Sequence, residues 1–227
     1  MIPAIILLLM RRYKKHYPQQ CAALKAKLLQ PGKIILLITI AICLVMICKA
    51  QEQRFSYTIK KGGSKIGEMC VKKISDGSKI SLKLVSNVKA SFLLSFTSNI
   101  IEEAIYDSGI LIYSSIYQKL NGSEKINKQT TYVNNLYVIN SKEGQEKLEN
   151  IKIYYNLVCL YGHEPSNIQF LYSDKHQKFL PVQQLEQHHY KIAFPGGASN
   201  EYWYQDGICT KVKVEHTFYT AVMELIK

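Results

Sequence analysis

From Arg54 onward, apolar and polar residues alternate with a period of two, and turn dipeptides punctuate the alternation. Phe55, Tyr57 and Ile59 interleave with Ser56, Thr58 and Lys60 until Lys61-Gly62-Gly63-Ser64 breaks the run, which predicts a strand followed by a hairpin turn. Lys65–Ile74 repeats the pattern and stops at Ser75-Asp76-Gly77-Ser78, where Asp-Gly suits a tight type I′ turn. On Lys79–Val88, Ile80, Leu82, Leu84 and Val88 share one face, as in a sheet with one wet side. Phe92–Phe96, apolar on both faces, leads with Ile100–Tyr106 to a turn at Asp107-Ser108-Gly109, and Ile110–Leu120 leads to Asn121-Gly122. Lys125–Val133, Asn134-Asn135 and Leu136–Asn140 complete a further hairpin, and strands joined this way are antiparallel neighbours.

One stretch departs from this period. In Lys147–Tyr161 the residues Leu148, Ile151, Tyr154, Tyr155 and Val158 fall at helical spacing, with Gly162 and then Pro165 beyond, which predicts a helix and its stop. The β-branched and tyrosine content of Ile153–Leu157 leaves a strand open there. The alternation then resumes in Ile168–Tyr172, Lys178–Leu185, His189–Phe194, Glu201–Gln205, Ile208–Thr217 and Phe218–Ile226. The expected fold is mainly β: a curved antiparallel meander or incomplete barrel of about ten strands in one domain, residues 51–227, with one covering helix. A sheet this long must curl, close or fold over.

Upstream the pattern changes completely. Ile34–Cys48 is fifteen residues with one hydroxyl and no charge, too short for a comfortable span of roughly 20 residues. Arg11-Arg12-Tyr13-Lys14-Lys15 precedes it and Lys49-Ala50 follows. A basic lead, an apolar core and small residues at Cys48 and Ala50 predict a signal peptide over residues 1–50, cleaved after Ala50; a retained anchor is the alternative. Export to the periplasm or outside the cell follows, with membrane contact only through this segment before cleavage. Met1–Leu9 is too short to span, and the start is either Met1 or Met10.

The formal charge of +12 over 227 residues then loses its apparent meaning, because residues 1–50 hold eight cations and no carboxylate, and 12 less 8 leaves +4. Basicity that departs with a targeting segment gives no case for nucleic-acid binding. Cys21, Cys43 and Cys48 leave as well, so Cys70, Cys159 and Cys209 remain, an odd number that cannot pair completely. In apolar runs they read as small buried hydrophobes, with one disulfide as the alternative.

The order Tyr57-Thr58-Ile59, Ile66-Gly67, Tyr106–Gly109, Tyr117 with Asn121-Gly122, Glu164-Pro165, Tyr202-Trp203-Tyr204 and Gly207-Ile208-Cys209-Thr210 resembles an uncharacterised family of secreted or periplasmic β-rich proteins from Bacteroidota. The resemblance spans nearly all of Phe55–Lys227 and brings no known activity. More distantly the layout is similar to the lipoprotein-carrier type of fold, which implies a curved, unclosed sheet covered by helix.

No catalytic motif is present, and no enzyme activity or cofactor is expected. His163-Glu164, His188-His189 and Glu215-His216 are the histidine clusters after residue 50. A metal site needs three or four converging ligands, whereas neighbouring strand residues point to opposite faces, so no metal is expected. The aromatics are the remaining candidates. Tyr154, Tyr155, Tyr202, Trp203 and Tyr204 offer amphipathic contact surface for a lipid or other apolar molecule. Alternation puts Tyr202 and Tyr204 on one face and Trp203 on the other. An exported binding module with a ligand in the concave sheet is one expectation; a structural or partner-binding envelope protein with a packed interior is the other.

Overall fold

A computed structural model describes residues 50–91, 95–216 and 219–226. The proposed signal segment with its two candidate starts, and Phe92-Leu93-Leu94, lie outside the described residues. Ala50–Lys227 forms a compact unit of its own, with one sheet and one continuous core, which is what independent folding requires.

Fourteen strands follow one another among the described residues: Gln51–Lys61 (β1), Ser64–Asp76 (β2), Lys79–Ser91 (β3), Ser95–Asp107 (β4), Ile110–Leu120 (β5), Ser123–Val133 (β6), Leu136–Ser141 (β7), Gly144–Glu149 (β8), Phe170–Ser173 (β9), Lys178–Glu186 (β10), His189–Ala193 (β11), Ser199–Gln205 (β12), Ile208–His216 (β13) and Tyr219–Leu225 (β14). They form one sheet in the order β8-β7-β6-β5-β4-β3-β2-β1-β14-β13-β12-β11-β10-β9. Every link but one is a sequential antiparallel pair. The exception sets β1 beside β14, with Tyr57 opposite Leu225 and Ile59 opposite Met223, so the first strand lies inside the sheet and the free edges fall at β8 and β9.

The turns obey their sequences. Asn121 and Gly122 take φ of 51° and 78°, and Asn134 and Asn135 take 51° and 63°, the left-handed pair that a type I′ hairpin needs and that Asn and Gly tolerate. Register shifts at Ile59/Lys60, Ile105/Tyr106, Gln118/Lys119, Gln184/Glu186 and Trp203/Tyr204 insert bulges, and bulges bend and twist a strand. The curl gathers the inward rows into one core, from Phe55, Tyr57 and Ile59 on β1 to Tyr202 and Tyr204 on β12.

The expected strand count and the covering helix are both corrected. Lys147–Tyr161 is not an α-helix. Its first residues belong to β8, it runs on without regular structure, and only Leu157–Tyr161 forms a 3₁₀ turn, ending at Gly162. Leu148 sits on β8 and Ile151 is exposed, while Ile153, outside the expected stripe, is fully buried. The segment finds its backbone partners in the sheet: Leu111 N–H donates to Ile153 O at 2.8 Å, and Tyr172 N–H donates to Tyr155 O at 2.9 Å. A chain whose polar groups are met from the walls has no need of the i to i−4 ladder, and the β-branched and aromatic run disfavours that ladder in any case.

Candidate functional site

The segment between β8 and β9 occupies the place where a guest of the concave sheet was expected. Ile153, Val158, Leu160 and Tyr161, with Leu171 and Tyr172 on β9, are all buried in the common core. The concave interior is therefore filled by the protein's own chain.

Tyrosines fasten this plug. Tyr137 Oη accepts from Ile153 N–H at 3.0 Å, Tyr204 Oη donates to Leu160 O at 2.8 Å, and Tyr106 Oη donates to Asn156 Oδ1 at 2.9 Å. Irregular backbone inside a core leaves donors and acceptors that must be met, and a phenol reaches them from a wall while adding apolar bulk. Beside Tyr106, Asn156 Nδ2 donates to Asp174 Oδ2 at 2.9 Å, and Ser114 Oγ donates to Asp174 Oδ1. Burial pushes the Asp174 pKa up, opposed by these two hydrogen bonds. Lys128 Nζ on β6 donates to Lys175 O and Gln177 Oε1 at 3.1 and 3.2 Å. The β9–β10 turn is thus tied to β5 and β6 by side chains, and among the described residues no strand ladder joins the two edges.

The five aromatic candidates separate into three locations. Tyr202 and Tyr204 are 2% and 6% exposed and belong to the packed core, so neither lines an open site. Trp203 lies on the opposite, outer face, stacked on His189 at 4.2 Å between ring centroids, with Lys211 Nζ 4.7 Å from its ring centroid; these three residues are direct cross-strand partners on β11, β12 and β13. Tyr154 and Tyr155 alone flank an opening. The histidines also scatter: His188 Nδ1 meets Glu164 at 3.0 Å, while His189 stacks on Trp203. Among the described residues no three His, Cys, Asp or Glu side chains are placed to hold a metal ion.

The opening is a groove of about 440 Å³ at one mouth of the sheet. Leu82 of β3 and Tyr106 of β4 are buried at its base, with Ile80 and Cys159; Tyr154, Tyr155, His163 and Lys73 stand around it, and Gly109 and Gly162 leave it open. This volume falls within the ordinary range for small-molecule sites. Tyr155 and His163 form a stacked wall, ring centroids 5.3 Å apart and planes 18° apart. Burial pushes the His163 pKa down and Lys73's charge adds to the shift, against Glu164. Burial pushes the Cys159 thiol up, against hydrogen bonds with Tyr106 and Asn156, and pushes Cys209 in the core up to about 12; raised thiols are poor nucleophiles. All three cysteines of the described residues are free thiols.

Lys73, the one cation of this groove, escaped the aromatic criterion. Its parity was the available signal, because Lys73 is in phase with Met69 and Val71 on the inward row of β2, opposite Gln53 and Leu82.

These features define a class: a curled antiparallel β protein, plugged by its own connecting segment, with an apolar groove at one mouth. The chain belongs to the family described as Domain of unknown function (DUF6134), whose profile matches residues 57–226. No curated protein matches it. Among solved structures it is similar to a beta-barrel-like protein of domain of unknown function DUF1849 from Brucella abortus, at 10% identity and a TM-score of 0.48, covering 78% of this chain and 96% of that one.

Proposed function

We propose that this is an exported cell-envelope binding protein, without catalytic activity, which holds a small apolar molecule in the mouth groove rather than in the concave interior. The observation that carries the reading is the groove itself: about 440 Å³ lined by Ile80, Leu82, Tyr106, Tyr154, Tyr155 and Cys159. Apolar concave surface of that size, edged by a few polar groups, is the ordinary form of a ligand site. Export rests on the charge-free Ile34–Cys48 core behind a basic lead, and the apolar lining of the groove favours a lipid-like guest. The filled interior favours a second reading, a structural or partner-binding envelope protein.

Native mass spectrometry of the protein recovered from the cell envelope tests both parts. The expected result is a chain beginning after Ala50 that carries a small co-purifying apolar ligand, lost when Tyr155 is replaced by Ala. A mass retaining residues 33–48 overturns cleavage, and a cleaved chain with no ligand, which also takes up none from envelope lipid extract, favours the structural reading.

A further inference from the structure

Lys73 is the odd residue of the groove. It stands on the inward row of β2, where its neighbours in phase, Met69 and Val71, are buried. Its stem lies against the plug, since a Cβ at Gly162 would sit 3.9 Å from Lys73 Cδ and 3.0 Å from Phe55 Cε2. A lysine can lay its methylenes along apolar surface and let the ammonium reach water, but an inward cation beside apolar walls normally has a counter-charge. None is provided. Among the described residues Lys73 has no ion pair or hydrogen bond, and no Asp or Glu lines the groove. The acidic neighbours of the lining residues are engaged elsewhere: for Glu164, beside His163, His188 Nδ1 lies 3.0 Å from its Oε1 and Tyr190 Oη donates to the same oxygen at 2.9 Å, and Asp107, beside Tyr106, accepts from Ser78 Oγ at 2.8 Å. The other ionisable ring at the rim, His163, feels Lys73 as a like charge. The groove therefore combines an apolar base with positive charge at one side and lacks any negative charge of its own.

We infer that the ligand is an amphipathic monoanion, an apolar chain or ring bearing one carboxylate, with the carboxylate paired to the Lys73 ammonium and the apolar body laid over Leu82, Tyr106 and the Tyr155–His163 stack. This deepens the binding reading and rests on it. A neutral apolar guest would leave Lys73 uncompensated, and a cationic one would meet repulsion. The Tyr154 and Tyr155 hydroxyls at the rim add polar contact for the carboxylate end.

The test is calorimetric titration of residues 50–227 at pH 7.5 with two probes of equal chain length, decanoate and 1-decanol. Decanoate is expected to bind roughly tenfold or more tightly than decanol, the scale of one charge-assisted contact. Lys73→Gln should erase that ratio by weakening decanoate alone, and Lys73→Arg should keep it. If both probes bind with equal affinity, the monoanion inference is overturned while the binding reading stands. If neither binds, the binding reading itself falls. The probe ratio is measured on the unaltered protein, so a poorly folding Lys73 variant does not protect the inference.

Discussion

Glu102 is the residue whose environment makes the clearest quantitative demand on the protein. It lies on β4 opposite Leu84 of β3 and Ile116 of β5, in phase with the buried Ser98, Ala104 and Tyr106 of the inward row. It makes no hydrogen bond or ion pair with another described residue. Burial, and then the nearby Asp174 charge, push its pKa from an ordinary 4.5 to about 7, with Lys175 acting the other way. The folded pKa is raised, so the sign is fixed by linkage. Below about pH 4.5 Glu102 is protonated whether the chain is folded or not, and its contribution to stability is fully present. Between about pH 4.5 and 7 the unfolded chain releases the proton and the folded one keeps it, so stability falls as pH rises. At about 1.4 kcal/mol per unit the difference comes to roughly 3.5 kcal/mol, an upper figure because the residue keeps partial contact with solvent. Glu102→Gln preserves the shape and removes the titration. Urea unfolding of residues 50–227 should show the variant level with the parent near pH 4.5 and more stable by about 1–3 kcal/mol at pH 8. Reading variant against parent removes what the two chains share and leaves the Glu102 titration with its coupling to Asp174. A difference that stays flat across this range, or a variant less stable at pH 8, refutes the burial account of Glu102.

Gly67→Ala should lower the urea midpoint sharply, by about 1–3 kcal/mol or more in stability, because a Cβ there would come within 2.3 Å of Asn87 O and 2.9 Å of Val88 Cα; an unchanged midpoint would mean that β2 and β3 lie further apart than described. Tyr204→Phe removes the donor to buried Leu160 O and should cost about 1–3 kcal/mol in the same assay, whereas a neutral result would release the plug from its tyrosine fasteners. Tyr155→Ala should lower stability by less than the roughly 3–5 kcal/mol of a fully packed aromatic, since Tyr155 is only half-buried on the groove wall, while weakening decanoate binding in titration; a full core-sized loss of stability would place it in the core instead.

The strands were legible because their inward rows keep strict parity, as Phe55, Tyr57 and Ile59 do, and because Asp76-Gly77, Asn121-Gly122 and Asp206-Gly207 mark turns in local chemistry alone. β8 was not legible, since Gly144–Glu149 is a mostly exposed edge strand with one half-buried apolar residue, Leu148, and period two needs several. The plug was misread because its apolar residues sit at spacings set by the walls they touch. Val158 and Tyr161 answer to a 3₁₀ turn, and Ile153 answers to Tyr137 and Leu111, none of which a local period records. The groove was half legible. Tyr154 and Tyr155 were picked out as amphipathic surface, but the mouth also needs Leu82 and Tyr106 from distant strands and the glycines that leave it open. Tyr202 and Tyr204 show why aromatic clustering misleads: each hydroxyl has a partner inside the protein, so amphipathic character there serves the core.

The placement of β1 inside the sheet sets an order of events during synthesis. β1 to β8 and β9 to β14 are two meanders made of local hairpins, and local pairing is fast. Among the described residues, their only strand-to-strand seam joins the first strand to the last. With about 160 residues between them and synthesis at roughly 5–20 residues per second, the second edge of β1 waits on the order of ten seconds or more for β14 to be made. An edge left open that long invites pairing with another chain, and charged side chains are the usual deterrent. β1 carries Glu52, Arg54, Lys60 and Lys61. When β14 arrives, Lys60 Nζ meets Glu224 Oε2 at 2.6 Å across the seam, so a cation that keeps strangers off the nascent edge becomes a mark by which the right strand is received.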